Sequence, residues 1–187
     1  MKTFWHSFQQ VYLDLYGSRL ATVAAIHGHA PAAGCMLALS CDYRIMASAD
    51  DSVKSPSIGL NETKLGIVAP PWLGQQMIDT VGQRRAELGL SLGLLYDPNE
   101  ALAIGLVDEL VPKDKVLEAA QAEAKKWGNI PARARFASKM LARKARLDQL
   151  EATRKEDTDF FCSFVTNTGV QKTLESYLQS LAKKKSK

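Results

Sequence analysis

The chain has 187 residues, and a typical domain takes roughly 100–200, so it is one domain or one domain with a satellite. Its 46% hydrophobic and 24% charged residues exclude a disordered, collagenous or coiled-coil chain, and the three scattered cysteines (Cys35, Cys41, Cys162) exclude a disulfide framework or zinc cluster and favour a reducing compartment. The tail Lys183-Lys184-Lys185-Ser186-Lys187 holds four of the 24 basic residues and the other 20 match the 20 acidic ones, so the +4 charge sits in a solvated end and the neutral body argues against a nucleic-acid face.

Met1–Tyr16 reads as an amphipathic helix, with Phe4, Phe8, Val11, Tyr12 and Leu15 at helical spacing. It carries neither the basic-then-apolar pattern of a signal peptide nor the arginine-rich, acid-free pattern of a transit peptide. Ala21–Ile26 is a short apolar run that predicts a buried strand. His27-Gly28-His29-Ala30-Pro31 turns the chain, Ala32–Cys41 predicts a helix and Tyr43–Ala47 a second strand. Strand, helix, strand in so few residues implies a parallel pair with a right-handed crossover.

Asp50–Ser57 reads as a polar loop, and Ser57–Gly66, broken by two glycines, as irregular chain. Trp72–Val81 and Arg84–Leu92 predict helices. Asp97 is placed as N-cap and Pro98 as first residue of a short helix ending near Ile104. Leu106–Val111 suits an edge strand. Beyond Pro112 the stretches Lys113–Trp127, Pro131–Arg146, Leu147–Val165 and Val170–Lys184 all read as amphipathic helices, with Gly128-Asn129 and Asn167-Thr168-Gly169 as breaks. The expected organisation is an α/β region over residues 1–112 and a helical region over 113–187. Charged residues interrupt every apolar run well short of a membrane span.

Two places offer chemistry. The small-residue run Gly28–Gly34 at a strand-to-helix turn lets backbone amides approach an anion or a developing oxyanion, although small residues there also suit tight helix–sheet packing. Glu62 lies in the apolar stretch Ile58–Ala69, where desolvation would raise its pKa into the range of a proton shuttle. The bland alternative is an exposed glutamate in a helical first turn capped by Asn61. His27 and His29 lack the further ligands of a metal site, and Cys35 on an apolar helix face is a poor nucleophile. Asp42 with Arg44 reads as a structural pair or cap, and Trp5, Trp72 and Trp127 as core or interface anchors.

The segment Ala25-Ile-His-Gly-His-Ala-Pro-Ala-Ala-Gly-Cys-Met-Leu-Ala-Leu-Ser-Cys-Asp-Tyr-Arg-Ile-Met-Ala47 resembles the central motif of the enoyl-CoA hydratase/isomerase (crotonase) superfamily. Ser57-Ile-Gly-Leu-Asn-Glu-Thr-Lys-Leu-Gly-Ile-Val-Ala-Pro-Pro-Trp-Leu73 resembles its second motif, and Glu100-Ala-Leu-Ala-Ile-Gly-Leu-Val107 the segment that follows. The Asn-Glu-Thr-x-Leu-Gly-Ile and Pro-Ala-x-Gly-Cys stretches are most similar to the mitochondrial Δ3,Δ2-enoyl-CoA isomerase branch.

That resemblance implies a crotonase-like α/β fold, a ββα spiral core with its N-terminal part missing and a C-terminal helical region that builds a homotrimer. It implies a 3-enoyl-CoA thioester as substrate in fatty-acid β-oxidation, the mitochondrial matrix as location, and no metal or other cofactor. By resemblance Glu62 is the acid/base, and the backbone N–H of Ala33 is half of an oxyanion hole, although glycine is commoner there. Ala32, Gly34, Leu60, Asn61 and Pro70 fall at substrate-binding positions. Met36 stands where the hydratases of the family carry a second glutamate, which favours isomerisation over hydration. The alternatives are a non-catalytic assembly or acyl-CoA-binding chain of the same fold, and an enoyl-CoA hydratase. A strand and loop that precede this region in the family are absent, so the chain alone is expected to be weakly active, with an unpaired edge at Ala21–Ile26 near Glu62.

Overall fold

A computed structural model describes residues 1–49 and 55–185, with side chains through residue 179. Most of the predicted polar loop 50–57 and the side chains of the lysine tail lie outside the described residues. The elements run α1 (Lys2–Tyr16), β1 (Val23–Ile26), β2 (Ala30–Pro31), α2 (Ala33–Ser40), β3 (Tyr43–Ala47), β4 (Ile58–Gly59), a 3-10 turn (Glu62–Leu65), α3 (Pro71–Val81), α4 (Gln83–Leu92), α5 (Pro98–Ala103), β5 (Glu109–Val111), a second 3-10 turn (Lys113–Lys115), α6 (Val116–Gly128), α7 (Ala132–Val165) and α8 (Thr168–Lys185).

The predicted β-α-β unit is present. β1 and β3 pair in parallel with Val23 opposite Tyr43 and Ile26 opposite Met46, and α2 crosses between them. β5 joins β3 in parallel, giving the order β1-β3-β5. Ile45 and Met46 are adjacent on β3 and both fully buried. Neighbouring residues on a strand face opposite ways, so both faces of the central strand are covered. α2 and α6 supply that cover, packing on β1 and β3. The core gathers Tyr12, Met36, Leu39, Met46, Leu73, Met77 and Leu106, and Leu150 of α7 joins it. Helices from both ends of the chain therefore share one interior.

The Asp97 expectation holds in detail: its carboxylate accepts from Glu100 N–H at 2.9 Å while Glu100 accepts from Asp97 N–H at 3.1 Å, a reciprocal capping box. Elsewhere the structure corrects the sequence reading. α1 does not bury Phe4 and Val11, which stay 64% and 44% exposed. Its inner face is Trp5, Gln9, Tyr12, Leu13 and Tyr16. Gln9, polar in any hydropathy pattern, is wholly buried because its amide reaches Asp157 at 2.7 Å on α7. Trp5 Nε1 meets the same carboxylate oxygen at 2.7 Å, and its ring stacks on Phe161 at 3.5 Å between centroids.

The two helices expected over 131–165 are present as two helical stretches of α7 that meet at a kink, which falls at Thr153 (φ −113°, ψ 15°) rather than near residue 147. The Thr153 hydroxyl bonds back to Gln149 C=O at 2.9 Å, a contact that bends helices. Asp42 and Arg44 are not partners. Asp42 binds Lys139 at 2.7 Å and Arg143 at 3.1 Å, while Arg44 binds Asp108 at 2.8 Å. The true partners lie far along the chain, beyond the reach of local spacing.

Candidate active site

The site is built where two short strands meet. β2 and β4 pair in parallel, Ala30 opposite Ile58 and Pro31 opposite Gly59. Two-residue strands have no hydrophobic period, so the sequence reading saw only a turn and an irregular stretch. The pairing continues as Ala30 N–H to Ser57 C=O and Ala32 N–H to Gly59 C=O, each 2.8 Å. The start of α2 is thereby tied to the chain three residues ahead of Glu62. Gly59 adopts φ +152°, and a Cβ there would collide with the Leu94 carbonyl. Glycine is required for that close approach.

Ala32 is the one non-glycine residue with positive φ among the described residues, at φ 49° and ψ −113°. Such a conformation costs about 1–3 kcal/mol and persists only where surrounding structure imposes it. Here the strand pair imposes it from one side and the helix from the other, through Met36 N–H to Ala32 C=O at 2.9 Å. That bond is the first inside α2, so the amides of Ala33, Gly34 and Cys35 precede the ladder and point out of the helix start. Ala33 is exposed and Gly34 half-buried. A Cβ on Gly34 would press on Ala30 at 3.3 Å, whereas one on Gly28 would meet nothing. Tight packing thus accounts for one of these glycines and not the other.

Glu62 opens the 3-10 turn and is only 7% exposed. It is not the solvated, Asn61-capped glutamate of the bland reading: Asn61 occupies the capping position, makes no side-chain cap bond and is itself buried. Burial pushes the Glu62 carboxyl above the ordinary glutamate value, partly offset by a bond from its own N–H. Glu62 Oε2 and Asn61 Oδ1 are buried without hydrogen-bond partners among the described residues. A pocket of about 200 Å³ lies against the carboxyl, lined by Leu60, Thr63, Val68, Ala69, Gly74, Leu90 and Ser91. Cys35, fully buried beneath the start of α2, has its thiol pushed up, first by burial and then by the nearby Glu62 carboxylate.

Of the residues expected at the site, Glu62 and Leu60 share this pocket. Pro70 is buried at the entry to α3, its carbonyl accepting from Leu73 and Gly74 N–H at 2.9 Å. Ala32, Ala33 and Gly34 join the site through the Ala32–Gly59 bond rather than as part of the pocket wall. Leu90 and Ser91 of α4 were missed, because nothing local links them to residue 62. Met36 is fully buried and presents no carboxylate. Among the described residues no group of three or more His, Cys, Asp or Glu side chains could hold a metal ion, and His29 Nδ1 instead lies 3.0 Å from Ser57 Oγ. No described helix is long and apolar enough to cross a membrane.

A strained helix start tied by backbone to the segment of a buried glutamate agrees with the family comparison. The model of the enoyl-CoA hydratase/isomerase family matches residues 1–185. The chain belongs to this family. Among its enoyl-CoA hydratase/isomerase relatives, the rat mitochondrial enoyl-CoA delta isomerase 1 is 47% identical over 182 residues, 97% of this chain and 62% of the relative. The human mitochondrial enoyl-CoA delta isomerase 1 is 44% identical over 97% of this chain and 59% of its own length. The chain thus spans about three-fifths of the curated relatives it matches. The crystal structure of human mitochondrial delta3-delta2-enoyl-CoA isomerase superposes with a TM-score of 0.93 at 43% identity, covering 98% of this chain and 70% of that one. An enoyl-CoA hydratase from Bacillus halodurans gives a TM-score of 0.75 at 25% identity, covering 92% and 66%. The fold is the crotonase fold.

Proposed function

We propose that this chain carries the acid/base segment of a Δ3,Δ2-enoyl-CoA isomerase of fatty-acid β-oxidation, working in the mitochondrial matrix as a homotrimer assembled through residues 113–187. The observation that carries the reading is Glu62, buried with an unpartnered Oε2 beside a pocket lined by Leu60, Val68, Ala69 and Leu90 together with Thr63 and Ser91. Moving a double bond from the 3,4 to the 2,3 position needs one base. Glu62 takes a proton from C2 of the 3-enoyl thioester, electron density shifts onto the thioester oxygen as a dienolate, and the same carboxyl returns the proton at C4. The dienolate oxygen is held by amides at the start of α2, Ala33 foremost, where hydrogen-bond donors and the helix dipole favour negative charge. Ala32, Gly34, Leu60, Asn61 and Pro70 frame the substrate. The chemistry uses proton transfer alone and calls for no metal or organic cofactor.

Hydration would need a second group to activate water. The α2 position that the resemblance marks for it is Met36, apolar and fully buried. The test is conversion of 3-cis- and 3-trans-enoyl-CoA by the purified chain and by Glu62→Gln, with 3-hydroxyacyl-CoA formation from 2-enoyl-CoA followed in parallel. Glu62→Gln keeps size but cannot accept a proton, so kcat falls by about 10²–10⁴. Near-normal isomerisation in that variant, or hydration as fast as isomerisation, refutes the mechanism.

A further inference from the structure

The turn that presents Glu62 is gripped from two sides. On one side Thr63 Oγ1 donates to Leu90 C=O of α4, and Gly93 at the end of that helix lies close against Lys64 and the Asn61 carbonyl. On the other side α8 packs on the turn. The point of contact is Gly66, which closes the turn in the left-handed conformation (φ 74°), its N–H donating to Thr63 C=O at 3.1 Å while Ile67 N–H donates to Glu62 C=O at 3.1 Å. A Cβ at Gly66 would sit 3.0 Å from Thr173 Cγ2 and 3.1 Å from Thr173 Cβ, so the Thr173 side chain lies directly against the Gly66 backbone. Its hydroxyl, 3.3 Å from the same Cβ position, is bonded to Gly169 C=O at 3.1 Å within α8, so methyl and hydroxyl together give the shape that makes the contact.

α8 contributes little else to the interior. Of its described side chains only Val170, one turn before Thr173, is buried. Its main packing is on α7 and the Glu62 turn.

From this geometry we propose that Thr173 is a positioning residue: by seating α8 on Gly66 it fixes the turn that aims the Glu62 carboxyl into its pocket. The inference rests on the assignment of Glu62 as the proton shuttle. Misplacing a reacting group by about 1 Å can cost on the order of 10²-fold in rate, and loosening one wall of the turn costs less. Thr173→Ala therefore lowers kcat for 3-enoyl-CoA isomerisation about tenfold, with KM and Tm little changed because Thr173 is surface-accessible. Thr173→Val preserves the shape and restores the wild-type kcat.

Amide hydrogen exchange gives a second readout that needs no turnover. The Gly66 and Ile67 amides, which close the turn, exchange several-fold faster in Thr173→Ala and at the wild-type rate in Thr173→Val. Unchanged exchange and kcat in Thr173→Ala overturn the proposal, as does equal loss in both variants, which would assign the effect to the hydroxyl. Glu62→Gln separates the two ideas. If it retains activity, the proton-shuttle reading fails. If it is inactive while Thr173→Ala behaves as wild type, only the positioning role fails.

Discussion

A buried glutamate makes the stability of this fold depend on pH in a direction that can be worked out. Burial raises the Glu62 carboxyl, so the native state holds its proton more tightly than the unfolded chain does. The stability this group contributes is fully present below the ordinary glutamate value and is lost as pH rises through the raised native value. Glutamine cannot ionise and escapes that loss. The Tm of Glu62→Gln minus that of the wild type should therefore grow steadily from acidic pH to neutrality in thermal melts. A difference independent of pH would mean that Glu62 ionises as freely in the native protein as in the unfolded chain. Glu62 was legible as a candidate from its apolar neighbours Ile58, Leu60, Ile67 and Val68 along the chain. What encloses it was not legible, since Leu90 and Ser91 come from a helix whose pattern says nothing about residue 62.

Among elements, the long helix α7 is locked to the sheet by a buried ionic cluster. Asp42 and Lys139 side chains are 3% and 5% exposed, and Arg143 reaches the same carboxylate at 3.1 Å. Lys139 also donates to Ser18 C=O at 2.9 Å and Leu20 C=O at 2.8 Å, and Arg143 to Ser40 and Cys41 C=O. The cluster therefore ties α7 to the chain ends of α1 and α2 and to the entry of β3. Removing Lys139 leaves Asp42 with Arg143 as its cation and takes a donor from the Ser18 and Leu20 carbonyls, at a cost of about 3 kcal/mol. Lys139→Met is expected to lose that much in urea unfolding, and Asp42→Asn combined with Lys139→Met to lose less than the two single losses added, because both remove the same pair. Additive losses would show that the two groups act independently. The helical pattern displays both stretches of α7, with the break placed near residue 147, and Asp42 reads with Arg44, two positions along the chain. The actual pairing spans 97 positions, a distance over which only the assembled sheet and helices bring the groups together. Helix α5 is the opposite case, because both halves of its Asp97–Glu100 capping box lie within four residues and could be read directly.

At the scale of the whole molecule, the sheet order β1-β3-β5 leaves β1 with a partner strand on one side only among the described residues. α1 packs on α2 and α7, and α6 lies against β1, so helices cover the sheet without adding a strand to this edge. Val23, Ala24 and Ala25 are half-buried there. An unpaired strand of small apolar residues offers free N–H and C=O groups to another chain, and proteins blunt such edges with charge. None is present between Ala21 and Ile26. A second apolar feature lies elsewhere, at Leu141 on α7, which is 91% exposed. The two features predict different assemblies, and light scattering across a concentration series tells them apart. Association through the strand edge is weakened by Ala21→Lys, which puts a charge at the mouth of β1 without touching its packed residues, and is indifferent to Leu141→Glu. Association through the helical region, as the proposed trimer requires, shows the reverse. The proposed trimer through residues 113–187 predicts loss of association in Leu141→Glu, and the bare edge of β1 adds a further association at rising concentration that Ala21→Lys suppresses. Insensitivity to Ala21→Lys together with loss of association in Leu141→Glu would refute the edge and place the contact on α7.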